Sequence, residues 1–117
     1  MNYTDGFIAA VPLANKAAFI KHANEMAAVL KEFGALRVVD CWGDDVPEGK
    51  LTSFSMAVKR EETEVVVFSW IEWESKAARD AGWGKVMADP RMDPTLAPMP
   101  FDGKRLIYGG FQVVSAV

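Results

Sequence analysis

Residues 64–73 read Glu-Val-Val-Val-Phe-Ser-Trp-Ile-Glu-Trp, and this stretch decides the fold. It is rich in β-branched and aromatic side chains, the composition of a strand. It is also apolar at nearly every position rather than at every second one. A strand with one wet face alternates, so a near-continuous run means that both faces are covered. Val65, Val67 and Ile71 project to one side, and Val66, Phe68 and Trp70 to the other.

The flanking segments supply only part of that cover. Tyr3 to Val11 reads as a first strand ended by Pro12, whose ring removes a ladder donor. In Asn15 to Phe33, Phe19, Ala23, Met26, Leu30 and Phe33 recur at spacings of four and three and predict one amphipathic helix. Asn15 suits its N-cap and Gly34 its left-handed closing residue. Ala35 to Gly43 is a second strand, followed by the turn-rich DDVPEGK. Leu51 to Lys59 fits a strand by alternation and a short helix by its Thr52 cap; a short helix lets the second strand and 64–73 lie antiparallel as neighbours. Ser75 to Ala88 is the second long helix, capped by Ser75 and stopped by Asp89-Pro90, with a break or a close contact expected near Gly82 and Gly84. Arg91 to Phe101, with Pro94, Pro98 and Pro100, is a surface loop, and Lys104 to Val114 is the last strand.

The resulting order, β-α-β-β-α-β in a single domain over 1–117, is the ferredoxin-like arrangement: an α+β fold with a four-stranded antiparallel sheet and two helices on one face. The other face is then bare and apolar. A second copy is expected to cover it, giving a homodimer with two sheets packed face to face.

Composition narrows the function classes. The net charge is −3 and the basic residues are scattered, so no stripe suits a phosphate backbone and nucleic acid is not an expected partner. One cysteine, Cys41, and one histidine, His22, are too few for a protein-only zinc site, and no metal or cofactor is expected. Asp44, Asp45 and Glu48 crowd one turn without the spacing of a calcium loop. No apolar run spans a bilayer and the N-terminus does not read as a signal peptide, so the expected location is the cytoplasm.

Several runs together resemble the YbaA-like family, a domain of unknown function: DGF at 5–7, FGALRVVDCWGDDVPEGK at 33–50 and VVFSWIEW at 66–73. SKAARDAG at 75–82, DPRM at 89–92 and MPFDGKRLIYGGF at 99–111 extend the match over nearly the whole chain. The resemblance implies the dimeric α+β barrel superfamily, which includes cofactor-independent monooxygenases, haem enzymes and small ligand binders. It carries no site residues, and fold alone does not choose among these activities. It does place the cavity between the sheet and the helices of each subunit.

Three residues are candidates for proton handling. Asp40 is a carboxylate in mid-strand that needs a partner or a wet cavity; Arg37 points to the opposite face, and Arg79 or Arg105 suit it by type. A salt bridge fixing strand or dimer geometry is the commoner role for such a group. His22 flanks the apolar stripe of the first helix, where boundary packing is the usual role of a lone histidine. Tyr108 precedes Gly109-Gly110, a place where a ligand can approach the backbone. Trp42, Trp70, Glu72 and Arg79 are the candidate ligand-contacting residues, although large aromatics more often serve core or interface. Cys41 reads as an inert small hydrophobe.

The expected function is binding of a small organic molecule in a cavity between sheet and helices. An enzyme of the cofactor-independent oxygenase or isomerase type is the first alternative and requires two proton-handling groups to converge on one cavity. The second is a non-catalytic assembly module.

Overall fold

The computed structural model describes residues 2–96 and 98–117. Strands β1 (Tyr3–Pro12), β2 (Arg37–Trp42), β3 (Glu64–Trp73) and β4 (Ile107–Gln112) form one antiparallel sheet in the order β2-β3-β1-β4. β1 pairs with β3 along its whole length, from Tyr3 opposite Trp73 to Pro12 opposite Glu64. Helices α1 (Lys16–Glu32) and α3 (Lys76–Ala88) cover one face, and α2 (Phe54–Ala57) is the short helix between β2 and β3. The ferredoxin-like α+β arrangement expected from the order of elements is the one observed.

Parity along β3 sorts its side chains. The Cα register joins Tyr3, Asp5, Phe7, Ala9 and Val11 of β1 to Trp73, Ile71, Ser69, Val67 and Val65 of β3, and this set faces the long helices. Trp73, fully buried, packs with Tyr3, Val29, Leu30, Ala35, Ile71 and Val86; Ala9, Val11, Phe19 and Val67 form a neighbouring cluster. Trp70 carries the opposite parity and lies with Val66 and Phe68 on the far face.

The far face is only half covered. The excursion from Gly43 to Arg60 folds back over it, placing Val58, fully buried, against Ala10 and Val66. α2 starts at Ser53, whose side chain accepts from the Met56 N–H, so the helical alternative holds for this segment with the cap one residue later than Thr52. Beyond it Phe68, Ile107 and Phe111 remain 43%, 41% and 61% exposed. The Phe111 ring lies beside Gly6 and Gly109, a cross-strand pair whose missing side chains leave a flat floor.

Local physics accounts for the helix ends. α1 closes on Gly34 at φ 111°, with the Gly34 N–H donating to Lys31 O and the Ala35 N–H to Leu30 O, the paired bonds of a Schellman turn. α3 starts at Ser75, which accepts from the Ala78 N–H.

Three local expectations are corrected. Asn15 makes no capping bond; its amide donates to Pro100 O at 2.9 Å, tying the start of α1 to the loop before β4. α3 runs unbroken through Gly82 and Gly84, and the close-contact alternative holds at Gly82, where an added Cβ would lie 2.5 Å from the Trp73 ring. The last strand begins at Ile107 rather than Lys104, because Asp102 accepts from the Lys104 N–H and holds 103–105 in a turn.

Candidate functional site

The sheet and α1 border an open cavity of about 120 Å³. α1 contributes Phe19, His22, Ala23, Met26 and Leu30, and the strands contribute Phe7, Ala9, Val38, Val67 and Ile71. Met99, Phe101 and Leu106 close it from the segment before β4. The lining is apolar apart from His22, Asp40 and Ser69. His22 reaches it because it stands three residues after Phe19 and four before Met26, on the border of the buried stripe. Asp40 and Ser69 are register partners on β2 and β3, both directed to the helix side.

Asp40 is not paired with arginine. Its Oδ1 accepts from the Ser69 hydroxyl at 2.7 Å, and Oδ2 takes no donor among the described residues. The two arginines that suited it by type are engaged elsewhere. Arg79 binds Asp5 through Nε at 2.9 Å and Nη2 at 2.8 Å, and Arg105 binds both oxygens of Glu64 at 2.7 Å each. Asp40 lies on an edge strand and is exposed, so water and one hydroxyl suffice to solvate it.

A second depression, of about 290 Å³, lies outside, between α1 and the β2 edge. It shares Phe19, Ala23, Val38 and Asp40 with the cavity, so these four residues form the partition between the two. Trp42 borders this outer depression, its ring 5.8 Å from that of Phe19 and under the Lys16 ammonium at 5.3 Å.

The remaining candidates fall outside the cavity, on the far face, or, as Trp70 does, between the two. Tyr108 is 72% exposed and stacks on Phe7 at 6.5 Å, at the β4 edge and away from the His22–Asp40 wall. Trp70 adjoins the cavity through its strand, but its ring lies on the far face, 5.9 Å from Phe68, and its indole donates to Glu72 at 2.9 Å. Both residues line a broad depression of about 670 Å³ on that face. Cys41 is a half-buried free thiol. Among the described residues, no three of His, Cys, Asp and Glu gather as metal ligands would.

Two buried carboxylates escaped the sequence reading. Asp5, 3% exposed, accepts from the indoles of Trp73 at 2.9 Å and Trp83 at 2.8 Å as well as from Arg79. The Asp5 carboxylate holds the Arg79 guanidinium charged, raising its pKa. Glu64, 6% exposed, is held below the usual carboxylate range first by the Arg105 hydrogen bonds, which outweigh its desolvation. Both carboxylates are saturated by protein donors, and both join sheet to covering segments. They are structural junctions. Asp5 shares the parity of Tyr3, Phe7, Ala9 and Val11, and that alternation is the signal by which its burial can be found.

This sheet order, with two long helices on one face, defines a ferredoxin-like α+β protein. Solved structures share it at low identity. A dimeric ferredoxin-like protein from an uncultured marine organism matches 99% of this chain and 98% of its own, with 13% identity and a TM-score of 0.63. SnoaB of Streptomyces nogalater, a cofactor-independent oxygenase, matches 99% and 96% at 14% identity, TM-score 0.59. An uncharacterized NIPSNAP domain protein from Burkholderia xenovorans matches 97% and 95% at 14% identity, also with a TM-score of 0.59.

The chain belongs to the family described as protein of unknown function DUF1428, whose model matches residues 2–103. It is 58% identical over 114 residues to the uncharacterized protein YbaA of Escherichia coli strain K12, covering 97% of each chain, and equally similar to YbaA of Shigella flexneri.

Proposed function

We propose that the protein is a homodimer in which each subunit binds a small organic molecule between the sheet and α1. The observation that carries the binding reading is the convergence of His22 and Asp40 on a cavity otherwise lined by apolar side chains. Ligand sites have this character: hydrophobic walls that bury the body of the molecule and a few polar groups that orient it. At about 120 Å³ the space suits a molecule near the size of benzene, which an apolar cavity of about 150 Å³ holds.

The dimer reading rests on the far face, where Phe68, Trp70 and Phe111 form an uncovered apolar surface. It is in keeping with the dimeric ferredoxin-like protein of the same fold. Light scattering on the purified chain at micromolar concentration is expected to give twice the chain mass; a monomer would overturn the dimer. The reading takes the cytoplasm as the compartment, in keeping with an unpaired Cys41.

Native mass spectrometry of protein purified from its own host tests binding. A retained organic mass that disappears when Ala23→Trp fills the cavity is the expected result. A fold that retains nothing, and that takes up no benzene-sized probe when soaked, would leave the assembly-module reading in its place. Turnover is a second reading, favoured by the presence of an imidazole and a carboxylate in one cavity, the pair that an oxygenase- or isomerase-type reaction needs for moving a proton.

A further inference from the structure

The polar groups of the cavity are unequal in charge and in what they have left to bind. Among the described residues the cavity presents one carboxylate, Asp40, and no lysine or arginine. Lys16, on the outer side of the partition, sits over the Trp42 ring rather than at the cavity wall. Asp40 Oδ1 is already taken by the Ser69 hydroxyl, and that bond turns the carboxylate about a fixed axis. Oδ2 is left as a strong acceptor with no protein donor among the described residues. The His22 imidazole makes no hydrogen bond within the described residues either, so it can donate or accept toward a ligand.

We propose that the cavity selects a neutral, benzene-sized molecule carrying a hydroxyl or amine donor at one end, held through that donor by Asp40 Oδ2. The inference rests on the reading of the cavity as a ligand site and adds its chemical preference. An organic anion of the same size is disfavoured, because it would bring a second negative charge beside Asp40 with no cation to offset it. A plain hydrocarbon fits the walls but leaves the Oδ2 acceptor to water and gains no hydrogen bond from it. A hydroxyl donor to an ionised acceptor makes the stronger, charge-assisted kind of hydrogen bond.

Phenol, toluene and benzoate are suitable probes because they share a ring and differ in the group at one end. Their dissociation constants can be measured by NMR titration at neutral pH, following the methyl signals of Ala23 and Met26. Phenol is expected to bind about tenfold more tightly than toluene, and benzoate more weakly than either. Asp40→Leu is expected to retain toluene binding and to abolish the preference for phenol. Ser69→Ala, which keeps the carboxylate, should retain the preference for phenol over benzoate. Equal affinity of phenol and toluene, or benzoate binding as tight as phenol, overturns the preference while leaving the cavity a ligand site. If none of the three shifts the Ala23 and Met26 signals, the ligand-site reading itself fails.

Discussion

Asp5 shows how much one side chain can tie together. Its two oxygens receive two indoles and a guanidinium, from residues 68, 74 and 78 positions further along the chain. Asp5→Asn removes the charge that neutralises Arg79 and one acceptor oxygen, and is expected to cost roughly 3 kcal/mol in denaturant unfolding, with an altered tryptophan emission spectrum. Glu64 controls a pH response. Its folded pKa lies below the ordinary value of 4.5, so its contribution is fully present above about pH 4.5 and is lost as pH falls through the folded value. Asp89, pushed down to about 2 by Arg91, acts in the same direction. Urea midpoints across pH 2–7 should therefore show a stability gap between the wild type and Glu64→Gln at neutral pH that narrows below about pH 4.5.

At the scale of elements, β3 and the two long helices were legible because their signals are local. Continuous apolarity marked β3 as a strand with an apolar residue on each face, and the four-three spacing marked α1. Ser75 and Gly34 sit where a cap and a left-handed residue are needed. The partners of Asp40, Asp5 and Glu64 were not legible, since a carboxylate's donor is chosen by sheet order and helix approach rather than by neighbours in sequence. Residues 104 and 105 misled for a related reason: alternation suits a strand there, but Asp102 and Glu64 together draw the backbone and Arg105 away from the ladder. Of the candidate site residues, His22 and Asp40 reached one cavity because both border an apolar stripe on the helix side. Glu72 did not, and Trp70 borders the cavity while its ring lies on the far face, because their parity is opposite to that of Trp73. The two glycines of α3 separate propensity from packing. Gly84 meets nothing, so Gly84→Ala should stabilise by about 1 kcal/mol, whereas Gly82→Ala should destabilise by about 2 kcal/mol because its methyl strikes Trp73 and Phe33 O. Thermal melts of the two variants would show shifts of opposite sign.

For the whole molecule, the proposed dimer puts the second copy on the far face. Phe111→Asp places a charge on that exposed surface while leaving the long helices untouched. Sedimentation should find this variant monomeric with its far-UV circular dichroism unchanged; a variant that stayed dimeric would put the second copy elsewhere. The sheet order has another consequence, felt before any partner arrives. β1 is made before the other three strands, yet it lies in the interior of the sheet, and its two neighbours are β3 and β4, the last strands of the four. Throughout most of synthesis YTDGFIAAVP therefore has no ladder to join, and the donor set of Asp5 begins with Trp73 and is complete only once Trp83 has been made. The fold must close late and across long stretches of chain, which slows folding and exposes an apolar strand while it waits. Keeping the nascent protein soluble therefore turns on how β1 is shielded until β3 and β4 are made.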